Sequence, residues 1–370
     1  MLVAFYAPMK SPDHPLPSGD RRMARAFMAL LASLGHEVDL ASQFRSYDGE
    51  GDVCRQQRLE QLGQRQAARL LRRYRRRPPD LWFTYHLYHK APDWLGPAVS
   101  RTLAIPYLVA EASLARKQAA GPWAAGYASS LAAIAEADLV LAMTQHDVPG
   151  LASVVVPEKL RLFPPFLDAT PFVVAAKLRP REPTGEPLLL AVAMMRRDVK
   201  LLSYRLLAEA LLLLGELPWR LVLVGDGEAR DEVAALFEPF GERVRRLGVQ
   251  SPADLAELYA KSDLYVWPAC NEAYGMALLE AQAAGVPVIA GREGGVPDIA
   301  VDGGTGLLVE PRSPSALAAA VRALLGDPER RRAMGAAAQA RVLQRHDLAP
   351  ARARMMDALA GIRVRACASA

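Results

Sequence analysis

Short apolar runs alternate with longer segments of helical periodicity along most of this chain. Leu2–Ala7 is apolar enough to predict a strand, and Asp20–Leu34 repeats its apolar residues at helical spacing until Gly35 ends the helix. Asp20 is the residue that we expect to cap this helix. Further strands are predicted at Val38–Ala41, Leu81–Tyr85, Ile105–Val109, Leu139–Met143, Leu188–Ala193, Arg220–Val224, Leu264–Trp267 and Val286–Ala290. Because helical segments separate most of these strands, the pattern favours an α/β protein with parallel sheets and helices on both faces.

The composition changes between Phe163 and Pro187, where prolines accumulate and the apolar periodicity fades. We interpret this segment as the connection between two α/β halves. The predicted organisation is a Rossmann-like domain at 1–168, a linker at 169–187 and a second Rossmann-like domain at 188–345. A helical tail follows at 346–370, for which packing on the N-terminal domain is one arrangement. In such folds ligands bind at the carboxyl ends of the strands, so we expect a cleft between the domains to hold the site.

Composition and charge exclude several classes of protein. The chain has 370 residues, of which 51% are hydrophobic and 23% charged, so it is not a disordered, collagen-like or disulfide-stapled chain. Its formal net charge of +5 permits contact with phosphates or an anionic membrane surface without requiring it. The three cysteines form no C-x-x-C pair, which fits a reducing cytoplasm better than a zinc site.

The sequence predicts neither a membrane span nor a signal peptide. The most apolar stretch, Tyr127–Met143, is interrupted by Glu136 and Asp138, whereas a span needs about 20 apolar residues. The first residues of the chain have no basic region before an apolar core. We therefore expect a cytoplasmic protein and leave open a peripheral position at the inner face of the membrane.

The segment Asn271–Glu280 is the most informative for chemistry. It follows an apolar strand, and Gly275 allows the backbone to approach a ligand closely before the next helix begins. The free N–H groups of that helix's first turn can bind a phosphate. Glu272 precedes the helix and Glu280 lies about two turns into it, so two carboxylates could bind hydroxyl groups of a sugar and a ribose.

These two glutamates resemble the paired-glutamate motif of the family-4 glycosyltransferases. Ser18–Leu40 is similar to the N-terminal glycine loop and helix of that family, Leu221–Arg230 to its nucleotide-side turn, and Gly285–Pro311 to the stretch after the second glutamate. The resemblance covers nearly the whole chain and is densest from 188 to 311. It implies the GT-B architecture of two Rossmann-like domains facing a central cleft. It also implies a retaining enzyme that uses a nucleotide-diphospho-sugar donor without a metal ion or other cofactor.

The resemblance also implies the residues of the site. Glu272, Lys200 and Arg196 form the expected catalytic set, in which Glu272 positions the sugar and the cations bind the diphosphate. Glu280 is expected to hold the ribose hydroxyls. The remaining donor-binding positions are Gly19, Arg197, Gly225, Ala273, Tyr274, Gly275, Met276, Gly294 and Gly295. The sequence has no Asp-x-Asp pair to hold a divalent ion beside a diphosphate, so cationic side chains must neutralise the leaving group.

The chain departs from the family pattern in two places. Where the family has Gly-Arg-Leu, this sequence has Ala193–Met195, so either Arg196 or Arg197 has to supply the missing charge from a reshaped loop. Where family members often carry a His after the fourth predicted strand, this sequence has Glu111, which leaves the sugar and the acceptor geometry open.

His86 and Glu111 are the predicted acceptor-side residues. His86 follows the third predicted strand, where the family has a His in its first domain. His86 and His89 have the i, i+3 spacing of a metal pair, but no third ligand is evident, so we expect no metal site.

The segment Arg55–Arg77 contains nine arginines and a single acid, Glu60. One interpretation is a solvated helix face. The other is a basic surface for anionic lipid headgroups or a lipid-diphosphate acceptor. Nucleic acid is disfavoured because no recognition motif accompanies the charge.

The sequence therefore predicts a retaining, metal-independent hexosyltransferase. It would move a sugar from a nucleotide-diphospho-sugar to a glycan, a lipid-linked or a small-molecule acceptor, in a context such as cell-envelope polysaccharide synthesis. Two alternatives stay open: a nucleotide-sugar epimerase of the same architecture, and a non-catalytic nucleotide-sugar-binding protein, which the methionine at position 194 makes plausible.

Overall fold

The protein folds into two compact units. The computed structural model describes residues 1–16, 18–178 and 185–368, with side chains as far as residue 362. Met1–Phe166 and the chain from Ala351 onward form the first unit, and Leu167–Pro350 form the second. The end of the chain therefore belongs to the same unit as its beginning.

The first unit is built on a sheet of six parallel strands in the order β2-β1-β3-β4-β5-β6. Its strands are β1 (Leu2–Tyr6), β2 (Glu37–Ser42), β3 (Leu81–Leu87), β4 (Tyr107–Ala112), β5 (Leu139–Ala142) and β6 (Leu160–Leu162). Its helices are α1 (Gly19–Ser33), α2 (Val53–Arg73), α3 (Gly96–Leu103), α4 (Ala124–Glu136) and α5 (Val148–Ala152). The predicted parallel sheet is confirmed for this unit.

Helix α1 shows how the local sequence makes one of these elements. Met23, Phe27 and Leu30 repeat at helical spacing and are fully buried, and the Phe27 ring packs against that of Phe83 at 5.3 Å between centroids. The predicted cap was wrong. Ser18, not Asp20, caps the helix by accepting a hydrogen bond from the backbone N–H of Arg21 at 3.2 Å.

The second unit has the same layered plan, with six parallel strands in the order β12-β11-β10-β7-β8-β9. Its strands are β7 (Leu188–Val192), β8 (Arg220–Val224), β9 (Val244–Leu247), β10 (Leu264–Trp267), β11 (Val288–Gly291) and β12 (Gly306–Val309). Its helices are α6 (Thr170–Leu178), α7 (Val199–Leu212), α8 (Arg230–Phe237), α9 (Pro252–Lys261), α10 (Met276–Ala283), α11 (Val296–Ile299), α12 (Pro314–Leu325) and α13 (Pro328–Arg345).

The segment 169–187, predicted as a linker, contains helix α6. Phe172 of α6 is buried, and its ring packs edge-to-face against that of Tyr259 in α9, with 5.7 Å between centroids. This contact makes α6 part of the second unit's packing. Residues 179–184 of the predicted linker lie outside the described residues.

The last helix, α14 (Leu348–Ala368), crosses from the second unit to the first. Its residues Ala351 and Met355 are fully buried. The Arg352 guanidinium donates a hydrogen bond to the carbonyl of Ser33, at the end of α1, at 2.8 Å. The helix therefore completes the first unit after the whole second unit has intervened in the sequence.

Helix α2 buries one face and exposes the opposite one. Its arginines at positions 55, 58, 65, 69 and 72 recur at intervals of three, four and seven residues, which places them on one face of the helix, and all five are exposed. None of the described helices has the length and apolar character that a membrane span requires. The buried side of α2 is formed by Gln56, Gly63, Ala67 and Leu70.

In both sheets the chain reverses its direction of winding once. In the first sheet β1 pairs with β2 on one side and with β3 on the other. In the second, β7 pairs with β8 on one side and with β10 on the other. Ligands of doubly wound folds bind outside the carboxyl ends of the strands at this reversal. Each unit therefore has one such switch point, formed by the segments after β1 and β3 or after β7 and β10.

Candidate functional site

Two predicted residues meet at the switch point of the second unit. Asp198 caps helix α7 by accepting a hydrogen bond from the backbone N–H of Lys200 at 2.8 Å, which puts Lys200 in the first turn. The Lys200 ammonium forms a salt bridge with the carboxylate of Glu272, which follows β10. The two side chains are 22% and 18% exposed, so the ion pair remains within reach of solvent.

A tight loop holds Glu272 at the start of helix α10. Asn271 and Gly275 have left-handed backbone angles, with φ of +49° and +80°. A Cβ atom on Gly275 would lie 2.8 Å from the Leu278 side chain and 3.3 Å from Cγ of Glu272, so only glycine fits here without displacement. Tyr274 is buried and Met276 opens the helix. This loop thus sets the glutamate beside the N–H groups of the first turn.

The loop after β11 packs directly on the loop of Glu272. A Cβ atom on Gly294, whose φ is +58°, would lie 2.1 Å from the carbonyl oxygen of Glu272. The backbone N–H of Gly295 donates to the carbonyl of Ala273 at 2.7 Å. The structure therefore brings Glu272 and Ala273 together with Gly294 and Gly295 through backbone contacts.

Gly225 packs against the loop that follows β7. Its φ is +145°, and a Cβ atom there would lie 1.9 Å from the carbonyl oxygen of Ala193. The neighbouring Met195 N–H donates to the carbonyl of Asp226 at 2.9 Å. Close packing between the loops after β7 and β8 accounts for glycine at position 225, whether or not it also contacts a ligand.

The two candidate arginines, Arg196 and Arg197, have different surroundings. Arg197 is exposed and turns to α8, where its Nε lies 2.6 Å from Oε1 of Glu232. Arg196 is half-buried, and its guanidinium lies 2.9 Å from the sulfur of Met194. Arg197 therefore stands apart from the Lys200–Glu272 pair, while Arg196 forms no salt bridge within the described residues.

Glu280 does not reach the surface of this site. Its side chain is fully buried on α10, and its carboxylate accepts a hydrogen bond from the Tyr259 hydroxyl at 2.9 Å. The ribose contact that the sequence indicated remains a prediction, and the buried position of Glu280 does not support it.

The first unit brings three polar side chains together at its own switch point. Nδ1 of His86 lies 2.9 Å from Oδ1 of Asp20 and 3.8 Å from Oε1 of Glu111. His86 and Glu111 both have left-handed backbone angles, with φ of +62° and +56°, which residues other than glycine rarely adopt. The sequence indicated His86 and Glu111 but missed Asp20, because an acid at a helix start is typically a cap.

Charge in this cluster keeps the His86 ring protonated at neutral pH. Burial opposes the charge of the ring, but the carboxylates of Glu111 and Asp20 outweigh it and raise the pKa of His86 to about 9. Burial raises the pKa of Glu111 to about 6, although the His86 charge works against this rise. The three groups offer a nitrogen and two carboxylate oxygens within 4.8 Å of one another. A metal ion would have to displace the His86 proton before binding there.

Gly19 begins α1 beside this cluster. A Cβ atom on Gly19 would meet no packing partner among the described residues within 4 Å, so their packing does not require a glycine there. The free space lies at the N-terminus of a 15-residue helix, where N–H groups and the helix dipole favour anions.

A segment of the second unit matches a known protein family. The family model described as glycosyl transferases group 1 matches residues 177–341. The D-inositol 3-phosphate glycosyltransferase of Segniliparus rotundus is 33% identical over 215 residues, which are 55% of this chain and 48% of that protein. That of Kineococcus radiotolerans is 35% identical over 211 residues, 50% of this chain and 48% of that protein. The chain thus spans about half the length of the curated relatives it matches.

Solved structures resemble the whole chain. Sucrose-phosphate synthase from Thermosynechococcus elongatus has a TM-score of 0.78 at 21% identity, covering 98% of this chain and 99% of its own. Anabaena HepE, solved with UDP and also with UDP-glucose, has a TM-score of 0.74 in the UDP complex. It is 18% identical there and covers 97% of this chain and 100% of its own. The chain therefore has the GT-B fold of these solved structures, and residues 177–341 match the family model of the group 1 glycosyl transferases.

Proposed function

We propose that this protein is a glycosyltransferase that transfers a sugar from a nucleotide-diphospho-sugar to an acceptor. The observation that carries the proposal is the ion pair of Lys200 and Glu272 beside the N-terminus of α10, at a switch point of a parallel sheet. The family match supports it, because residues 177–341 include both side chains. The UDP and UDP-glucose complexes of the Anabaena protein favour a UDP-hexose as the donor.

In the proposed reaction the donor diphosphate takes the place of Glu272 at Lys200. The Lys200 ammonium and the first-turn N–H groups of α10 donate hydrogen bonds to the phosphate oxygens. The ammonium and the N–H groups carry positive charge at the place where negative charge grows as the nucleotide leaves. Neutralising the leaving diphosphate therefore needs no metal ion. Glu272, released from Lys200, then accepts hydrogen bonds from sugar hydroxyls and orients the ring. We assign Arg196 as the second cation at the diphosphate.

We assign the acceptor to the switch point of the first unit, beside His86, Glu111 and Gly19. Because the His86 ring is protonated at neutral pH, it donates hydrogen bonds and does not act as a general base. The proton of the acceptor hydroxyl would then pass to the departing phosphate oxygen as the donor bond to the anomeric carbon breaks and the acceptor bond forms. Transfer on the same face retains the configuration, which agrees with the resemblance to family 4.

The experiment that tests this function is an assay of UDP release from UDP-glucose with a panel of small polyols and sugar phosphates. We expect release that depends on the acceptor and a product with the α configuration, identified by NMR. Conversion of the donor to an epimer without an acceptor would identify an epimerase instead. Binding of UDP-glucose without any turnover would identify a nucleotide-sugar-binding protein.

We also propose that the exposed arginine face of α2 contacts an anionic membrane surface, as an enzyme of cell-envelope polysaccharide synthesis would require. Arg55, Arg58, Arg65, Arg69 and Arg72 form no salt bridge within the described residues, so their charges are available. Leu62 lies on the same face and is 38% exposed, which adds an apolar group that can enter the headgroup region.

We expect Arg58→Gln/Arg65→Gln/Arg69→Gln to abolish binding to phosphatidylglycerol vesicles in a flotation assay. Each arginine near an anionic surface contributes about 1 kcal/mol, so three substitutions weaken binding by roughly 100-fold. Arg330→Gln/Arg332→Gln removes two charges from exposed positions of the second unit, and this control variant should float like the wild type. Equal flotation of the triple variant and the wild type would identify a solvated helix face.

A further inference from the structure

A polar cleft lies in the first unit between helices α2 and α4. It has a volume of about 420 Å³, part of which is open to solvent, and this size is typical of sites for small molecules. Asp48, from the loop after β2, and Gln56, in the first turn of α2, are buried in its lining. Lys90 and Trp94, from the loop between β3 and α3, line it as well. The described residues that line the cleft include none of those that we assign to the donor or the acceptor.

One buried acceptor in this cleft has no donor. Nε2 of Gln56 donates to Oδ2 of Asp48 at 2.8 Å and to the carbonyl of Pro122 at 2.9 Å. These two acceptors fix the orientation of the amide, so Oε1 of Gln56 is left buried and without a hydrogen-bond partner in the described part of the chain. This oxygen faces Gly126, where a Cβ atom would lie 3.9 Å from it, and Gly126 also lines the cleft. Because an unpaired buried carbonyl is costly, the position suits the hydroxyl group of a ligand.

Aromatic rings give the cleft flat apolar surfaces. The half-buried indole of Trp94 is held by its Nε1, which donates to Oγ of Ser129 at 3.3 Å. His89 lines the cleft too, and its ring centroid lies 6.0 Å from that of Trp123. The C–H groups of a sugar ring can pack on the negative face of an aromatic ring, while its hydroxyl groups need polar partners around it. The cleft offers both kinds of surface.

The charged groups of the lining favour a neutral ligand over an anion. The carboxylates of Asp48 and Glu60 line the cleft together with the Lys90 ammonium, which lies 4.4 Å from the centroid of the Trp123 ring. Glu60 forms no salt bridge within the described residues. Burial and the charge of Lys90 lower the pKa of His89, so its ring is neutral at pH 7. The lining thus carries one more negative charge than positive charges, which disfavours phosphate and sulfate groups.

We propose that this cleft binds a neutral sugar unit of a glycan. The face of Trp94 packs against the sugar ring, and the Glu60 carboxylate accepts hydrogen bonds from its hydroxyl groups. Oε1 of Gln56 accepts a further one, and the Lys90 ammonium donates to a hydroxyl or ring oxygen. Binding in the cleft needs no nucleotide-sugar, so the site does not depend on the proposed glycosyltransferase function.

A series of aromatic rings connects the cleft with His86. The ring centroids of His86 and Tyr88 lie 5.1 Å apart, as do those of Tyr88 and His89, and His89 lines the cleft. A glycan with one unit in the cleft can therefore extend along these rings toward the residues that we assign to the acceptor. Under the proposed glycosyltransferase function, the cleft recognises a sugar unit of the acceptor other than the one that reacts.

Fluorine NMR of the full chain labelled with 5-fluorotryptophan tests this site. The chain has five tryptophans, and Trp94 is the one that lines the cleft, so its resonance, assigned with Trp94→Phe, reports binding there. We expect at least one of methyl α-D-glucoside, methyl α-D-mannoside and methyl α-D-galactoside to shift this resonance saturably. The resonances of Trp82, Trp219 and Trp267, which are buried outside the lining, should not move.

Two carboxylate variants measure the contribution of the lining. Glu60→Ala removes a carboxylate from the cleft and should weaken the binding of the same sugar by about tenfold, since a hydrogen bond to a charged group contributes roughly that factor. Glu50→Ala removes an exposed carboxylate from the loop before α2, outside the lining, and should leave the affinity unchanged.

Three results would overturn the proposal. One is a Trp94 resonance that none of the three sugars shifts, and another is equal sugar affinity in Glu60→Ala and the wild type. The third is a larger shift with inorganic phosphate than with any sugar at the same concentration, which would identify an anion site. UDP binding and UDP release are measured separately, so failure of the glycosyltransferase function is distinguishable from failure of the cleft to bind a sugar.

Discussion

Lys200→Gln is expected to weaken the binding of UDP by about 10- to 100-fold. The substitution removes the ammonium that we assign to the diphosphate, and a hydrogen bond to a charged group contributes about 1.5–3 kcal/mol. It also leaves Glu272 without its cation, so a carboxylate would face the incoming phosphates. Titration calorimetry with UDP measures the effect.

The same loop provides a matched control for this result. Arg197→Gln removes a charge three positions before Lys200, but Arg197 is exposed and paired with Glu232. The UDP affinity of this variant should therefore stay within about twofold of that of the wild type. Glu272→Gln should act in the opposite direction from Lys200→Gln, because it removes the group that competes with phosphate for the ammonium. Equal UDP affinity in Lys200→Gln and the wild type would remove Lys200 from the donor site.

Gly294→Ala is expected to lower the turnover of the donor by at least about tenfold. A methyl group at this position would lie 2.1 Å from the carbonyl oxygen of Glu272, so the backbone of one of the two loops has to move. A shift of about 1 Å at a catalytic group can cost roughly 100-fold in rate. Steady-state kinetics with UDP-glucose and a measurement of the unfolding temperature separate loss of activity from loss of stability.

Gly303→Ala is the control that separates the effect of the contact between position 294 and Glu272 from the strain of a left-handed alanine. Gly303 has a φ of +73°, similar to the +58° of Gly294, but a Cβ atom on Gly303 would meet no packing partner within 4 Å in the described part of the chain. Both variants carry the cost of a left-handed alanine, about 1–2 kcal/mol, and only Gly294→Ala disturbs Glu272. If the two variants lose activity equally, the loop after β11 does not position Glu272.

The central strands were predictable from the sequence, whereas most edge strands were not. Arg220–Val224 and Leu264–Trp267 have the predicted bounds, because a strand buried on both faces is a continuous apolar run. No strand was predicted at β6, β9 or β12, which all lie at sheet edges. Such strands pair on one side only, and β6 and β9 keep polar positions. For example, β9 exposes Arg245 and Arg246, so its pattern does not distinguish it from a loop.

The loop geometry at the candidate site was predictable where the local sequence determines it. The glycines at 275, 294 and 295 have backbone roles that a turn after a strand indicates directly. The direction of Glu280 was not predictable, because α10 is buried almost all round and has no polar face to orient it. The partner of His86 was also not predictable, since Asp20 reaches it only when β3 lies beside β1 in the sheet.

The placement of α14 has a consequence for how the protein is made. The first 166 residues emerge from the ribosome well before Ala351 and Met355. The first unit is complete only when these two residues are buried in it. The second unit is continuous in sequence, so it can form as one piece during elongation. The N-terminal sheet is synthesised before α14, so the surface that Ala351 and Met355 cover stays exposed until this helix has been made. Nascent chains of this protein should therefore depend most on chaperones in the half that emerges earliest.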